Sequence, residues 1–164
     1  MKRVIIVRHA KTIHHGYDQD YDRTLTDRGE ENAHRISSEM VKVGIIPDLM
    51  ISSPAVRTTQ TTKIYARNFG YPTGNVRYEK KLYTGMQSGF FSQMLQELDN
   101  KHTTVMVVGH NPTVYYFLDY LLPDFSLDVP TCSTVAIDFD IDNWEDLKER
   151  SGKMVNRWIP DLLE

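Results

Sequence analysis

Apolar residues fall along this chain in two rhythms, short unbroken runs and longer stretches spaced by three and four, and the two alternate. Residues 4–8 open with Val4, Ile5, Ile6 and Val7 in succession, the signature of a strand buried on both faces. From Leu25 the spacing turns helical. Thr26 suits an N-cap, Asp27 and Glu30 place acid in the first turns, Ala33, Ile36, Met40 and Val43 recur on one face, and Gly44 follows as terminator. Residues 48–52, just after Pro47, read as a second short strand. Ser53 as cap and Pro54 as first residue then predict a helix to about residue 68, with Gly70 just beyond it. A weak third strand is read at 76–79, a loop at 83–89 and a short helix at 90–98. Residues 103–108 form the most pronounced strand, carrying Val105, Met106, Val107 and Val108 and ending on Gly109. Asn111 as N-cap and Pro112 as first residue predict a helix whose apolar face is Val114, Phe117, Leu118, Leu121 and Leu122. Residues 134–139 and 154–159 close the chain as further strands.

Strands alternating with helices imply an α/β fold, a three-layer αβα sandwich around a mostly parallel central sheet. No repeat, low-complexity segment or Pro/Ser-rich linker interrupts the 164 residues, so a single domain over 1–164 is expected. The hydrophobic fraction of 40% and charged fraction of 25% are those of a chain that can build a core without disulfides. Cys132 is the only cysteine, which excludes an intrachain disulfide and a cysteine zinc site. No apolar run is long enough to span a bilayer, and Met1, Lys2 and Arg3 lead straight into a strand instead of a secretory signal. A cytoplasmic monomer with no membrane attachment is the expectation. With a net charge of -3 and no dense Lys/Arg block, nucleic acid is not an expected partner.

The chemistry-bearing residues lie at strand ends. In an open α/β sheet ligands bind beyond the carboxyl ends of the strands. Arg8-His9 follows the first strand, Arg57 sits in the first turns of the helix after the second, and Gly109-His110-Asn111-Pro112 follows the strand ending near 108. Two guanidinium groups and two imidazoles beside helix N-termini suit a compact dianion, and phosphate is the natural guest. A neutral imidazole is also a competent phosphoryl acceptor when its second nitrogen is held by a hydrogen bond. Taken alone, Arg8 and Arg57 could instead pair with Asp18, Asp20 or Asp22. His14-His15 lacks the spacing of a metal site, and no metal or cofactor is expected.

At this point the sequence resembles the histidine phosphatase superfamily, whose Arg-His-Gly hallmark stands here as Arg8-His9-Ala10. Val-Arg-His-Ala-Lys at 7–11, Arg-Thr-Leu-Thr-Asp-Arg-Gly at 23–29, the stretch at 47–61 around Ser-Ser-Pro-Ala-Val-Arg, and Val-Val-Gly-His-Asn-Pro at 107–112 are similar to the small phosphohistidine phosphatases of the SixA type. The resemblance implies a phosphoglycerate mutase-like fold without an inserted cap domain. It also implies His9 as nucleophile, with Arg8, Arg57 and His110 around the phosphoryl group and Asn111 among the phosphate contacts. Larger relatives carry a carboxylic acid after the second histidine, where Asn111 stands here, and no general acid is assigned.

The expected activity is metal-independent hydrolysis of a phosphohistidine-bearing protein through a phosphorylated His9. A small phosphorylated metabolite as substrate, and a non-catalytic phosphate-binding module, are the alternatives. A phosphoramidate leaving as imidazole needs less protonation than an alkoxide, which fits the missing acid.

Overall fold

The computed structural model describes residues 1–163. Six strands, β1 (Lys2–Arg8), β2 (Leu49–Ser52), β3 (Arg77–Tyr78), β4 (Thr104–Gly109), β5 (Thr134–Phe139) and β6 (Lys153–Trp158), form one sheet in the order β3-β2-β4-β1-β5-β6. The first four positions run parallel, whereas β5 is antiparallel to β1 and β6 antiparallel to β5. Five helices, α1 (Asp27–Lys42), α2 (Val56–Phe69), α3 (Lys81–Thr84), α4 (Ser88–Gln96) and α5 (Thr113–Leu121), cover it.

Successive strand side chains point to opposite faces, so the unbroken apolar runs divide between two cores. Val4 and Ile6 join Leu49, Ile51, Val105 and Val107 under α4 and α5, where Phe91 stacks on Phe117 at 3.8 Å. Ile5 and Val7 join Met50, Met106 and Val108 on the other face, under Ala33, Ile36 and Met40 of α1 and Ile64, Tyr65 and Ala66 of α2. The result is the expected three-layer αβα sandwich, and only α3 and α4 lie between β3 and β4, so no cap domain is inserted. Each of the four apolar side chains of β1 is 1% exposed or less, and burying such a side chain is worth about 1.5–3 kcal/mol. Arg3 and Asp138, paired in register across β1 and β5, form a two-pronged ion pair at 2.6 and 3.0 Å.

Most predicted elements stand within a residue or two of the observed ones. Thr26 caps α1 as expected, its hydroxyl accepting from the Gly29 N–H at 3.0 Å. Two caps differ. Helix α2 begins at Val56 behind Ala55 with no side-chain cap, because the Ser53 hydroxyl is turned toward His110 instead. Helix α5 begins at Thr113 with Pro112 in the capping place and no side-chain cap, since Asn111 donates its amide N–H to Val129 O at 3.1 Å. The predicted loop at 83–89 contains the end of α3 and the start of α4; its Gly85 and Gly89 masked short helices that tertiary packing of Leu82 and Phe91 supports. Among the described residues no helix is long and apolar enough to cross a membrane.

Helix α1 touches the segment after β1 at one glycine. A Cβ at Gly29 would press into the Lys11 carbonyl oxygen, the same oxygen that accepts from the Thr26 N–H at 2.9 Å. Alanine would favour the helix by about 1 kcal/mol, but overpacking against backbone costs about 1–3 kcal/mol. Gly29→Ala is therefore expected to lower stability by up to about 2 kcal/mol in urea titration, with an unchanged m-value; a stabilised protein would show that the loop yields freely.

Candidate active site

Sheet register brings the site together. Arg8 is paired with Gly109 across β1 and β4, and Ser52 with Val108 across β2 and β4. The residues that follow Arg8 and Gly109, His9 and His110, therefore leave two adjacent parallel strands at the same level, and Ser53 leaves the third, β2, one residue short of it. The rings of His9 and His110 lie 5.3 Å apart, tilted by 54°. Arg57, in the first turn of α2, is 6% exposed, and its guanidinium stands 6.0 Å from the Tyr83 ring. Tyr83 in turn meets His110 edge-on at 5.6 Å.

His9 is held from every side. Its N–H donates to Gly109 O at 3.1 Å, its carbonyl accepts from Cys132 N at 2.9 Å, and the next N–H, of Ala10, donates to Thr61 Oγ1 at 3.0 Å. The ring Nδ1 lies 2.8 Å from Ala10 O. A carbonyl oxygen can only accept, so Nδ1 carries the proton and Nε2 keeps its lone pair. Burial, with the charges of Arg57, Arg8 and Arg23 and against the Ala10 hydrogen bond, brings the His9 pKa down from 6.5 to about 4. Burial first, then Arg57, His9 and Arg23 against Asp20, brings His110 down to about 3. Both imidazoles are neutral at neutral pH.

Beside these rings Arg8 Nε, Arg57 Nε and His110 Nδ1 are buried without hydrogen-bond partners among the described residues. Buried donors of this kind are satisfied in nearly every folded protein, and a tetrahedral anion offers several acceptor oxygens at once. The outer nitrogens of the arginines are engaged. Arg8 Nη1 donates to Val129 O at 3.0 Å, sharing that acceptor with the Asn111 amide. Arg57 Nη1 donates to Asp20 O at 2.9 Å and Nη2 to Asp20 Oδ2 at 3.0 Å, so of the pairings with Asp18, Asp20 or Asp22 that the sequence offered as an alternative, Arg57 makes the one with Asp20 while its Nε stays beside the histidines.

Four contributors were not singled out from the sequence. Arg23, within the quoted 23–29 motif, depresses both histidines and lies 3.4 Å from Asp20. Thr61 ties the backbone after His9 to α2, its hydroxyl donating to Arg57 O at 2.8 Å; its only signal was its place on the buried face of that helix. Ser53 Oγ lies 2.7 Å from His110 Nε2. Tyr83 donates to Asp20 Oδ2 at 3.0 Å. Burial raises the Asp20 pKa, but the hydrogen bonds of Tyr83 and Arg57 and the charges of Arg57 and Arg23 outweigh it, leaving the value lowered and the carboxylate ionised. Cys132 is buried with its thiol pKa raised to about 12 by burial, so it takes no part as a thiolate. Among the described residues no group of three or more His, Cys, Asp or Glu side chains is arranged to hold a metal ion.

Comparison with known proteins finds relatives in sequence and in fold. The model of the histidine phosphatase superfamily (branch 1) matches residues 4–82. An uncharacterized chloroplastic protein of Arabidopsis thaliana is 28% identical over 162 residues, covering 92% of this chain and 72% of that protein. Among solved structures, the putative phosphohistidine phosphatase SixA from Agrobacterium tumefaciens is 25% identical with a TM-score of 0.80, covering 97% of this chain and 98% of that one. The protein histidine phosphatase SixA complexed with tungstate superposes with a TM-score of 0.85 at 22% identity, covering 99% of both chains, and shares the fold.

Two measurements test this arrangement. Thr61→Val keeps the shape but leaves the Ala10 N–H buried and unpaired, a loss of about 1–3 kcal/mol, to be read as a lower urea midpoint. Because the His9 pKa is lowered, Nε2 is bare at every pH above about 4. Between 6.5 and about 4 the unfolded chain binds a proton that the native ring refuses, so stability should decline as pH falls through that window. An enzymatic rate limited by this ring should keep its acid limb near 4 in kcat/KM instead of near 6.5.

Proposed function

We propose that the chain is a member of the histidine phosphatase superfamily and a phosphohistidine protein phosphatase working through a covalent intermediate on His9. The observation that carries this reading is the His9 ring, neutral and with its Nδ1–H held by the Ala10 carbonyl, presenting Nε2 beside buried, unpartnered nitrogens of Arg8, Arg57 and His110.

The reaction has two steps. In the first, the Nε2 lone pair forms a bond to phosphorus as the bond to the substrate's nitrogen breaks, and the departing imidazole takes a proton from solvent. In the second, water forms the new P–O bond, the N–P bond breaks, and phosphate leaves with Nε2 again bare. Arg8, Arg57 and His110 hold the equatorial oxygens throughout, the electrostatic contribution that dominates phosphoryl transfer. Asn111 supports Arg8 by sharing the Val129 carbonyl. His9 keeps Nδ1–H on Ala10 in both steps, so the phosphorylated ring is a good leaving group for the second. No metal or cofactor enters either step.

The substrate class follows from the acid. The carboxylate tied to the site, Asp20, is held ionised by Tyr83, Arg57 and Arg23, which makes it a poor proton donor to an alkoxide. An imidazole leaving group asks for far less. With no inserted cap over the strand ends, a histidine displayed on another protein can reach them.

The test compares wild type, His9→Ala and Arg57→Ala on phosphohistidine proteins and on a panel of sugar and nucleotide phosphates, following phosphate release. Wild type is expected to prefer phosphohistidine and to form an acid-labile phosphoenzyme. His9→Ala should lose both, and Arg57→Ala should lose about 10²- to 10³-fold in kcat/KM. Monoester turnover far above phosphohistidine, or an unimpaired His9→Ala, would sink the reading.

A further inference from the structure

The second histidine has two faces. Its Nε2 lies 2.7 Å from Ser53 Oγ, and its Nδ1 is buried without a partner among the described residues. A neutral imidazole carries one proton, and the two possible tautomers do opposite things here. With the proton on Nε2, the ring would donate to Ser53 and turn a lone pair toward the anion. With the proton on Nδ1, the ring would accept from Ser53 and turn a donor toward the anion.

Ser53 decides between them. Its side chain is fully buried, and its hydroxyl oxygen already accepts, weakly, from the Ala55 N–H at 3.4 Å. Its own proton needs an acceptor, and His110 Nε2 is the one within reach among its hydrogen-bond partners. A buried hydroxyl that does not donate loses the hydrogen bond that offsets its desolvation. The serine itself is fixed by backbone: its N–H donates to Val108 O at 3.0 Å, and its carbonyl accepts from Thr58 Oγ1 at 2.8 Å and Ser52 Oγ at 2.9 Å. The hydroxyl thus works from a rigid strand end, one residue short of the level of His110 on the neighbouring strand.

We propose that Ser53 is a positioning residue that donates to His110 Nε2 and fixes that ring as the Nδ1–H tautomer, making Nδ1–H a donor to the transferring phosphoryl group. This rests on the phosphatase reading for its purpose, though the tautomer itself does not. It also accounts for the uncapped start of α2: the serine that precedes the helix serves the neighbouring strand end instead of the helix N–H groups.

The decisive measurement needs no substrate. In protein labelled with 15N-histidine, long-range 1H–15N correlation at neutral pH reports which ring nitrogen is protonated, with His110 identified by comparison with His110→Gln. Wild type is expected to show a protonated Nδ1 and a bare Nε2 at His110. Ser53→Ala removes a single oxygen and should shift the population toward Nε2–H, while Ser53→Thr, which keeps the hydroxyl, should retain the wild-type tautomer. On phosphohistidine substrate, Ser53→Ala should lower kcat about 10- to 100-fold, as loss of an orienting partner does, with thermal melting close to wild type. Nε2–H in the wild type, or an unchanged tautomer in Ser53→Ala, overturns the proposal even if phosphohistidine is hydrolysed. An Nδ1–H tautomer lost in Ser53→Ala upholds it even if the preferred substrate proves to be a phosphate ester. Should Ser53→Ala fail to fold, the wild-type spectrum still decides.

Discussion

The peptide between His9 and Ala10 is the constraint on which the site depends. Its carbonyl accepts from Cys132, the flanking N–H groups of His9 and Ala10 are taken by Gly109 and Thr61, and the Ala10 carbonyl receives the imidazole proton. A ring can be aimed by a hydrogen bond to backbone only if that backbone is itself immobile. Here it is stitched to β4 on one side, to the approach of β5 on the other, and to α2 beneath. Orientation of this kind is set at folding and costs nothing further when the ring is used.

Around this peptide the electrostatics meet two demands that pull in opposite directions. An anion site wants positive charge, and a nucleophilic imidazole wants to stay unprotonated. Burial together with Arg57, Arg8 and Arg23 serves both, since the same charges that attract a phosphoryl group disfavour a proton on His9 and His110. Asp20 tempers the field from the exposed side, engaging Arg57 through carboxylate and carbonyl alike. Its lowered pKa is the counterpart of those contacts, and it keeps this carboxylate ionised beside the two imidazoles.

The sequence displayed the frame more fully than the site. Runs such as Val4 to Val7 and Val105 to Val108 could be read as strands because burial on both faces demands an unbroken apolar run, and Thr26 and Gly70 marked helix ends through local chemistry. The arrival of Arg8, His9, Arg57 and His110 at one edge followed from where βα loops gather. What stayed hidden was the allocation of small polar groups. Ser53 and Asn111 looked like helix caps because that is their commonest local use, and only the register of β2, β4 and β1 shows that other strands and loops claim them. Arg23 and Tyr83 reach the site from segments with no periodicity, so their positions depend on tertiary contacts that spacing does not encode.

Strand β1 carries the His9 ring at its tip and sends alternate side chains into two separate cores. Val4 and Ile6 answer to α4 and α5, Ile5 and Val7 to α1 and α2. Slack on either side of the sheet is therefore transmitted along one rigid lever to the same imidazole. Interior packing and the placing of that ring share one strand, so a lineage that repacks either core will move both.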